Sequence, residues 1–497
     1  MIRLSSIILL NSNMFIHLSP KYAVRNERNC SYLIQSTRVI DRSSQTFDSF
    51  CILSFMGFIL AHIGDFETEE SLTRISSKLG ISRNAVNNFI TQLTENPECK
   101  NFMIDETHSV NLPPDLLVRS DLKVDVNVWE SPEFDIASDY VIKRPEMPLS
   151  VNLMVTTQCT TDCAYCYANR SLLPLMDTDT ILGLIDELYI GGVTNITLTG
   201  GDVFARKDWM IILKKLREYG YFPYLSTKTP IGRESIVTLK GLGYDEIQFS
   251  LDSCSEEILK KMVAAPNNYL DKVKNFLLNA EKLEMKVLIR SVLTRHNSNI
   301  CTVKSLYDFL CGYGSVREWV LTPAFFSPYK QSEYKGLEVY NTDLKDIYDF
   351  IHQEGMKFYV GLNKITKEGY CLRRTERVED FVISNQICLA NTTSLSILAN
   401  GKCSVCEMLY EDEDFILGDI HVNSVREIWN SPKATDLYSL SRDTINSDSP
   451  CYGCKVFTEC RQGYGKRICY LDIRKTGKPL SFPDPRCPMA EKCDLIL

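Results

Sequence analysis

The sequence predicts an α/β protein whose largest part is a partial (β/α)6 barrel, with a helix-turn-helix-like module before it and a cysteine-rich region after it. Three observations carry this expectation. Between about residues 149 and 362, six apolar, β-rich runs alternate with segments whose apolar residues recur at helical spacing. Ahead of them, "EESLTRISSKLGISRNAVNNFITQL" reads as helix, Gly-centred turn and second helix. Behind them, the chain is rich in Cys, Gly, Pro and charge and has few long apolar runs.

Residues 20–118 mix short β-like runs, "YAVRNERNCSYLIQ" and "TRVIDR", with helical patterns. Residues 119–148, with "LPPDLL" just before them and "KRPEMP" at their end, read as a linker. The barrel strands are expected at "VNLMVTT", "NITLTG", "FPYLST", "DEIQFSLD", "KVLIRSVLT" and "VREWVLT". Segments such as "DTILGLIDELYIGG", "KDWMIILKKLREYG" and "DKVKNFLLNAEKLE" supply the helices between them. Such alternation gives a parallel sheet with right-handed crossovers, and its chemistry sits at the C-terminal ends of the strands. Residues 363–497 lose this rhythm. A region with so little core needs staples, and its cysteines are the candidates.

Charge and composition narrow the partners. In a helix-turn-helix that bound DNA, Ser82, Arg83 and Asn84 would open the recognition helix. Acids and bases balance across that stretch, however, and no basic arm accompanies it. A formal net charge of −8 argues further against bulk binding to nucleic acid or to an anionic membrane. "SIILL" near the N-terminus is too short to span a bilayer and makes a poor signal segment, so a cytoplasmic protein is expected.

Cysteine is the informative residue. There are 19, an odd number, and most fall in tight groups, a pattern of metal ligands rather than disulfides. Cys159, Cys163 and Cys166, in "CTTDCAYC", follow the first barrel strand. Three thiolates at this spacing suit a [4Fe–4S] cluster that keeps one iron unligated by protein. An open coordination position marks a metal used for chemistry. Later come "CLANTTSLSILANGKCSVC", from Cys388 to Cys406, and "CYGCKVFTEC", with Cys451, Cys454 and Cys460, then Cys469, Cys487 and Cys493. These can surround two further clusters, although Cys403/Cys406 and Cys451/Cys454 are also zinc-ribbon pairs. The scattered Cys30, Cys51, Cys99, Cys254, Cys301, Cys311 and Cys371 read mostly as packing residues.

Cys159, Cys163 and Cys166, with Tyr165 before the last, resemble the signature of the radical S-adenosylmethionine (SAM) superfamily. The resemblance implies a partial TIM-like barrel, with SAM itself as the missing cluster ligand and Tyr165 packing by the adenine. It recurs down the barrel. "LTGGD" resembles the family's GGE motif, which would place Gly200 and Gly201 against SAM's amino group, with Asp202 where Glu is usual. "LSTKT" would bring Ser226, and Thr227 beside it, to the ribose or carboxylate, and "FSLDS" supplies Ser250 and Asp252 at the matching Ser-Leu-Asp element. Related enzymes carry an Arg in the next helix that pairs with the SAM carboxylate. Val263 stands there in this chain, which leaves Arg290 or Lys228 to supply the charge.

The later cysteines resemble the SPASM extension of radical SAM peptide maturases. That resemblance implies two auxiliary [4Fe–4S] clusters, one on Cys388, Cys406 and Cys469 with Cys403 as a candidate fourth ligand. The other falls to Cys451, Cys454, Cys460 and Cys487, with Cys493 the alternative to Cys487. Ahead of such an enzyme, the first module resembles a winged-helix precursor-recognition domain, which takes a leader peptide as an added strand. The implied activity is one-electron cleavage of SAM to a 5′-deoxyadenosyl radical that abstracts hydrogen from a precursor peptide. A cysteine-to-carbon thioether cross-link is the expected product. The implied partners are the precursor peptide and an electron donor such as flavodoxin or ferredoxin. Carbon–carbon or carbon–oxygen cross-linking, epimerisation, a sulfatase-maturing enzyme and a cluster-sensing DNA regulator are the alternatives.

Overall fold

The computed structural model describes residues 14–36, 49–104, 109–138, 143–168, 173–327, 334, 336–352, 355–363, 365–367, 369–370, 374–384, 388–410, 412–463 and 466–493. The chain divides into two compact units. The first takes Met1–Ser150 with Leu188–Asn195 and Gly220–Phe222, and the second takes Val151–Glu187, Ile196–Tyr219 and Pro223–Leu497. None of the described helices is long and apolar enough to cross a membrane.

The first unit contains β1 (Phe15–Leu18), β2 (Tyr22–Glu27), β3 (Cys30–Gln35), β4 (Ser49–Ile52), α1 (Ser54–His62), α2 (Thr68–Leu79) and α3 (Arg83–Leu93). After them come β5 (Lys100–Met103), β6 (Ser109–Leu112), β7 (Leu117–Ser120) and β8 (Asn127–Glu130). A four-stranded sheet has the order β4–β3–β2–β8, β1 pairs with β7, and β5 and β6 form an antiparallel hairpin. The helix-turn-helix is present. Gly80 closes α2 at φ +66, a left-handed value that suits glycine. Ser82 caps α3, its hydroxyl accepting from the Ala85 amide at 3.2 Å. Arg83 is engaged by Glu69 across the turn. Leu72, Ile75, Val86, Ile90 and Leu93 bury one face of the helix pair against Met56, Ile59 and Leu60 of α1.

Two outcomes go beyond the sequence pattern. Residues 127–130, inside the stretch read as a linker, form β8 and pair in parallel with β2. Four residues are too few to announce a strand by periodicity. The run "TRVIDR" lies outside the described residues.

β2 carries a buried charge. Arg25 is fully enclosed, ion-paired with Glu27 at 2.7 Å, and donates to the Pro148 and Gly192 carbonyls at 3.2 and 3.0 Å. Its guanidinium lies 4.9 Å from the Trp129 ring centre. A single cation thus ties the central strand to two loops and to β8.

The second unit alternates strand and helix: β9 (Ser150–Thr156), α4 (Thr178–Ile190), β10 (Asn195–Gly200), α5 (Trp209–Glu218), β11 (Ser226–Thr227), α6 (Arg233–Gly241), β12 (Glu246–Ser250), α7 (Glu256–Val263) and α8 (Tyr269–Lys282). It continues with β13 (Lys286–Leu293), α9 (Ile300–Cys311), β14 (Val316–Pro323), α10 (Asn341–Ile351) and β15 (Tyr359–Leu362). β11 to β15 form one parallel sheet. Its outer face is apolar: Phe249 packs on Phe276 of α8 with ring centres 4.9 Å apart, and Trp319 is fully buried.

Beyond the barrel come the short pair β16 (Ile365–Thr366) and β17 (Gly369–Tyr370), then α11 (Val378–Ser384), β18 (Ser394–Ile397), β19 (Lys402–Ser404) and β20 (Ile416–Asp419). They are followed by α12 (Val425–Trp429), α13 (Pro432–Tyr438), α14 (Phe457–Arg461) and α15 (Tyr470–Lys475). A second five-stranded sheet runs β10–β9–β18–β19–β20, so the first two barrel strands share their ladder with the C-terminal region.

The partial barrel is therefore present, with its ladder interrupted between β10 and β11. "FPYLST" yields only two strand residues, Ser226 and Thr227, although the Leu225 carbonyl also accepts from the Gln248 amide at 3.0 Å. β15 extends the parallel set by one strand beyond the six expected, from a run of four residues that includes Gly361.

Arg25→Met should lower the stability of the first unit by about 3 kcal/mol, because Glu27 is then left in the interior without its cation. The Arg25→Met/Glu27→Gln pair should lose less than the sum of the single changes. Thermal unfolding of the full chain checks both statements, and simple additivity would contradict the buried pair.

Candidate functional site

Cys159, Cys163 and Cys166 lie on the loop that follows β9, at the strand's C-terminal end. The loop is irregular, so its shape is imposed by neighbours. The Asp162 and Ala164 amides donate to the Val263 and Met262 carbonyls at 2.8 and 2.9 Å. Those carbonyls belong to the last turn of α7, which has no partner for them within the helix. Thr160 meets Thr229 at 3.0 Å, and the Tyr165 hydroxyl donates to Asp252 at 2.5 Å. Cys166 is further fixed by its amide to the Cys163 carbonyl at 3.0 Å and by the Ala168 amide to its sulfur at 3.4 Å. Val263, at the position where an Arg was expected, contributes only its carbonyl to these contacts.

The glycine pair after β10 answers a packing need. A Cβ on Gly200, whose φ is +118, would lie 2.2 Å from the Thr156 carbonyl oxygen, and one on Gly201 would lie 2.1 Å from that of Gln158. Bare backbone here lets β10 press against the root of the cysteine loop. Asp202 follows, 5% exposed. One of its oxygens accepts from Thr227 Oγ1, the Lys228 and Thr229 amides and Thr229 Oγ1 at 2.6 to 3.0 Å, and the other accepts from the Phe204 amide at 3.0 Å. Asp202 is thus a clamp that shapes the turn after β11, and Thr227 is held by it rather than aimed outward. The shorter acid fits this inward role.

That turn delivers Lys228. Its ammonium is 2.8 Å from Asp252, which is 2% exposed and also accepts from the Val292 amide at 2.8 Å. Burial opposes the charge on Lys228, yet the Asp252 carboxylate and Cys163 hold its pKa above the usual lysine value. Burial and then Asp252 push the Tyr165 hydroxyl well above the tyrosine range, so it remains a donor. Arg290 is placed differently. Its described partners are the Glu318 carboxylate at 2.5 Å and the Ile289 carbonyl at 3.1 Å. Of the two cations the sequence offers, the structure brings Lys228 to the cysteine loop.

Strand register sets a polar row on one face of the parallel sheet. Ser226 stands beside Gln248 on the next strand and Ser250 beside Arg290. Gln248 donates to Ser250 at 2.8 Å, and Ser226 is exposed. Gln248 and Glu318 carry no motif and were missed. Their period-2 placement opposite the buried Phe249 and Trp319 is the only trace of them in the sequence.

No disulfide joins any of the described cysteines, and Cys371 lies outside them. In the C-terminal region the thiols sort into two groups. Cys451, Cys454, Cys460 and Cys487 line one small cavity, with Phe457 and Arg461 in its wall. The buried Arg461 guanidinium lies 3.3 Å from the Cys451 sulfur. Cys493 lines a different cavity. Cys388 and Asp472 are electrostatic neighbours of both Cys406 and Cys469. Cys403 does not join them: it is fully buried on β19, and the charged groups around it are Asp419 and Glu187. The candidate fourth ligand is therefore in the interior of a strand, where "CSVC" alone could not reveal its direction.

The donor sets fit iron–sulfur clusters in number and kind: three thiols on the barrel loop, three in one C-terminal group and four in the other. Burial pushes the thiols of Cys406 and Cys460 up to about 12 and that of Cys487 to about 11. These three thiols hold their protons at neutral pH, and ligation would release them. Among the described residues no three His, Cys, Asp or Glu side chains converge on a single ion.

Asp202→Ala would strip an acceptor from five donors around a buried position. Loss of about 2–4 kcal/mol is expected, together with faster proteolysis within residues 226–230. Unchanged protease resistance there would contradict the clamp.

Residues 153–310 match the radical SAM superfamily, and residues 388–455 match the SPASM iron–sulfur cluster-binding domain. A GTP 3′,8-cyclase of Limosilactobacillus fermentum is 25% identical over 281 residues, which cover 53% of this chain and 80% of that one. A PqqA peptide cyclase of Xanthomonas oryzae is 28% identical over 155 residues, 30% of this chain and 41% of its own length. Among solved structures, Streptococcus suis SuiB bound to precursor peptide SuiA superposes with a TM-score of 0.60 at 14% identity, covering 95% of this chain and all of that one. SuiB bound to SAM gives 0.59 at the same identity, covering 95% of this chain and 99% of its own. At such identity the likeness is one of fold. The chain joins a radical SAM domain to a SPASM iron–sulfur cluster-binding domain.

Proposed function

We propose that this chain is a radical SAM peptide maturase that cross-links a ribosomally made precursor peptide, with a cysteine-to-carbon thioether as the product. The observation that carries the reading is the extent of the likeness to SuiB: at 95% of the chain it takes in the first unit as well as the barrel and the cysteine-rich region. SuiB was solved with a precursor peptide. In this reading residues 20–118, with β8 added from the stretch 119–148, recognise the leader as a winged-helix domain, the rest of 119–148 connects, 149–362 are the radical SAM barrel and 363–497 the SPASM domain. The GTP 3′,8-cyclase of Limosilactobacillus fermentum matches about half of the chain, and GTP is the rival substrate to be tested.

SAM and a cluster on Cys159, Cys163 and Cys166, when bound, supply one-electron hydrogen abstraction. The chain's own residues hold and orient. Lys228 offers a cation fixed by Asp252, suited to a carboxylate. Tyr165 is locked by the same Asp252 and keeps its proton. Ser226, Gln248, Ser250 and the Arg290–Glu318 pair give the sheet's polar face groups that can position a peptide backbone and keep bulk water ordered away from the reacting carbon. Cys388, Cys406 and Cys469 would hold a second cluster and Cys451, Cys454, Cys460 and Cys487 a third. A flavodoxin or ferredoxin would supply the electron.

Anaerobic reconstitution should load about twelve irons per chain, and Cys159→Ala about eight with no SAM cleavage. Four irons in the parent protein, or SAM cleavage by the variant, would overturn the assignment. Lys228→Ala should weaken SAM binding about tenfold or more, as loss of a charged hydrogen bond implies, while Arg290→Ala should change it little. Equilibrium dialysis reads both, and equal losses would remove the distinction. Coexpression with the precursor should give a peptide lighter by two hydrogens per bond, with one cysteine unreactive to alkylation. An unchanged peptide mass alongside conversion of GTP would favour the cyclase reading.

A further inference from the structure

Arg461 directly follows Cys460 and is 1% exposed, in the wall of the cavity that Cys451, Cys454, Cys460 and Cys487 line. Its guanidinium is held as a fork. Nη1 donates to the Leu480 carbonyl at 2.5 Å, and Nη2 donates to the Phe482 carbonyl and, at 3.3 Å, to the Cys451 sulfur. Two of these acceptors are neutral carbonyls and the third is a sulfur.

Arg461 has no carboxylate partner among the described residues. Asp484, the carboxylate of the same lining, is committed elsewhere, to Arg486 at 2.7 Å and the Cys469 amide at 2.8 Å. The buried cations Arg25 and Lys475, by contrast, each have an acid, Glu27 at 2.7 Å and Asp472 at 3.2 Å. A guanidinium keeps its charge in a protein interior, and burying it without a counter-charge is costly. The negative charge that Arg461 lacks is the charge that thiolate ligands of an iron–sulfur cluster would bring. A hydrogen bond to a ligating sulfur, with a positive charge behind it, favours the reduced state, because the added electron makes iron and sulfur more negative. Away from water that attraction is weakly screened.

We propose that Arg461 is a positioning residue that raises the reduction potential of the cluster held by Cys451, Cys454, Cys460 and Cys487, acting through its N–H bond to the Cys451 sulfur. The proposal rests on the reading that these four cysteines hold a cluster. On reduction one electron enters, no bond of the chain is made or broken, and Arg461 keeps its proton in both states.

The test uses the full chain carrying Cys159→Ala/Cys388→Ala, which should confine iron to the four cysteines at about four per chain. Dithionite titration in the presence of redox dyes, followed by absorbance and electron paramagnetic resonance, reads the midpoint potential. Arg461→Gln should make reduction about tenfold less favourable, a fall of about 59 mV for one electron. Arg461→Lys keeps the charge and should recover roughly half of that fall or more. A role confined to holding the Leu480 and Phe482 carbonyls would lower the iron content and leave the potential of the loaded fraction unchanged. That result would overturn the proposal, as would equal falls in the two variants. A second measurement leaves Arg461 in place. Reduced chain grown on arginine labelled with 15N in the guanidinium should show nitrogen hyperfine coupling to the cluster. Arg467, a cation neighbouring Cys460, is the control, and Arg467→Gln should retain the coupling. Absence of the coupling, or its loss in Arg467→Gln, would overturn the proposal even where the Arg461 variants fail to load iron. Absence of iron from the four cysteines would overturn the cluster reading and the proposal with it. An unchanged potential with four irons bound would overturn the proposal alone.

Discussion

The loop that carries Cys159, Cys163 and Cys166 has no helix or strand of its own, so its shape depends on what it leans against, and Asp252 is the chief support. This one carboxylate, 2% exposed, gathers the Tyr165 hydroxyl from the loop, the Lys228 ammonium from the turn after β11 and the Val292 amide from β13. A buried carboxylate is tolerated only with such a complement of donors. Because Tyr165 and Lys228 reach it from different segments, they cannot be satisfied unless those segments are already in place. The site is therefore assembled by the barrel and not by the loop.

Asp202 performs the same service one layer earlier. It fixes the turn that holds Lys228 through donors on Thr227, Lys228 and Thr229. The glycines before it allow β10 to reach the root of the cysteine loop without steric conflict. Two acids in series, Asp202 and Asp252, thus transmit the sheet's geometry to three thiols. Neither needs to touch a substrate to matter for the chemistry.

Much of this was legible from residue order. Alternating runs gave the strands, cysteine spacing gave the open and closed thiol sets, and the glycine after "SSKL" marked the turn between α2 and α3. What could not be read was direction. Cys403 and Cys406 are three residues apart in sequence, yet one is locked in the interior of β19 and the other has Cys388 as an electrostatic neighbour. Arg290 and Lys228 were equal candidates on charge, and only their partners, Glu318 for the one and Asp252 for the other, separate them. Short elements failed for a simpler reason: β8 and β15 have four residues each, too few for a period to show. Pairings that span a hundred residues, such as Arg25 with the Pro148 carbonyl, have no local signature at all.

The sheet order β10–β9–β18–β19–β20 has a consequence for how such a chain can diversify. β9 leads into the cysteine loop of the barrel, and β18 to β20 carry or flank Cys403 and Cys406. A continuous hydrogen-bonded ladder, and not a tether, sets the separation between the barrel thiols and the nearest C-terminal ones. Adjacent strands keep a spacing of about 4.8 Å whatever the side chains. Insertions and deletions in the surface connections can therefore accumulate without changing the distance between the two groups of thiols. The connections are free to drift while that spacing stays fixed.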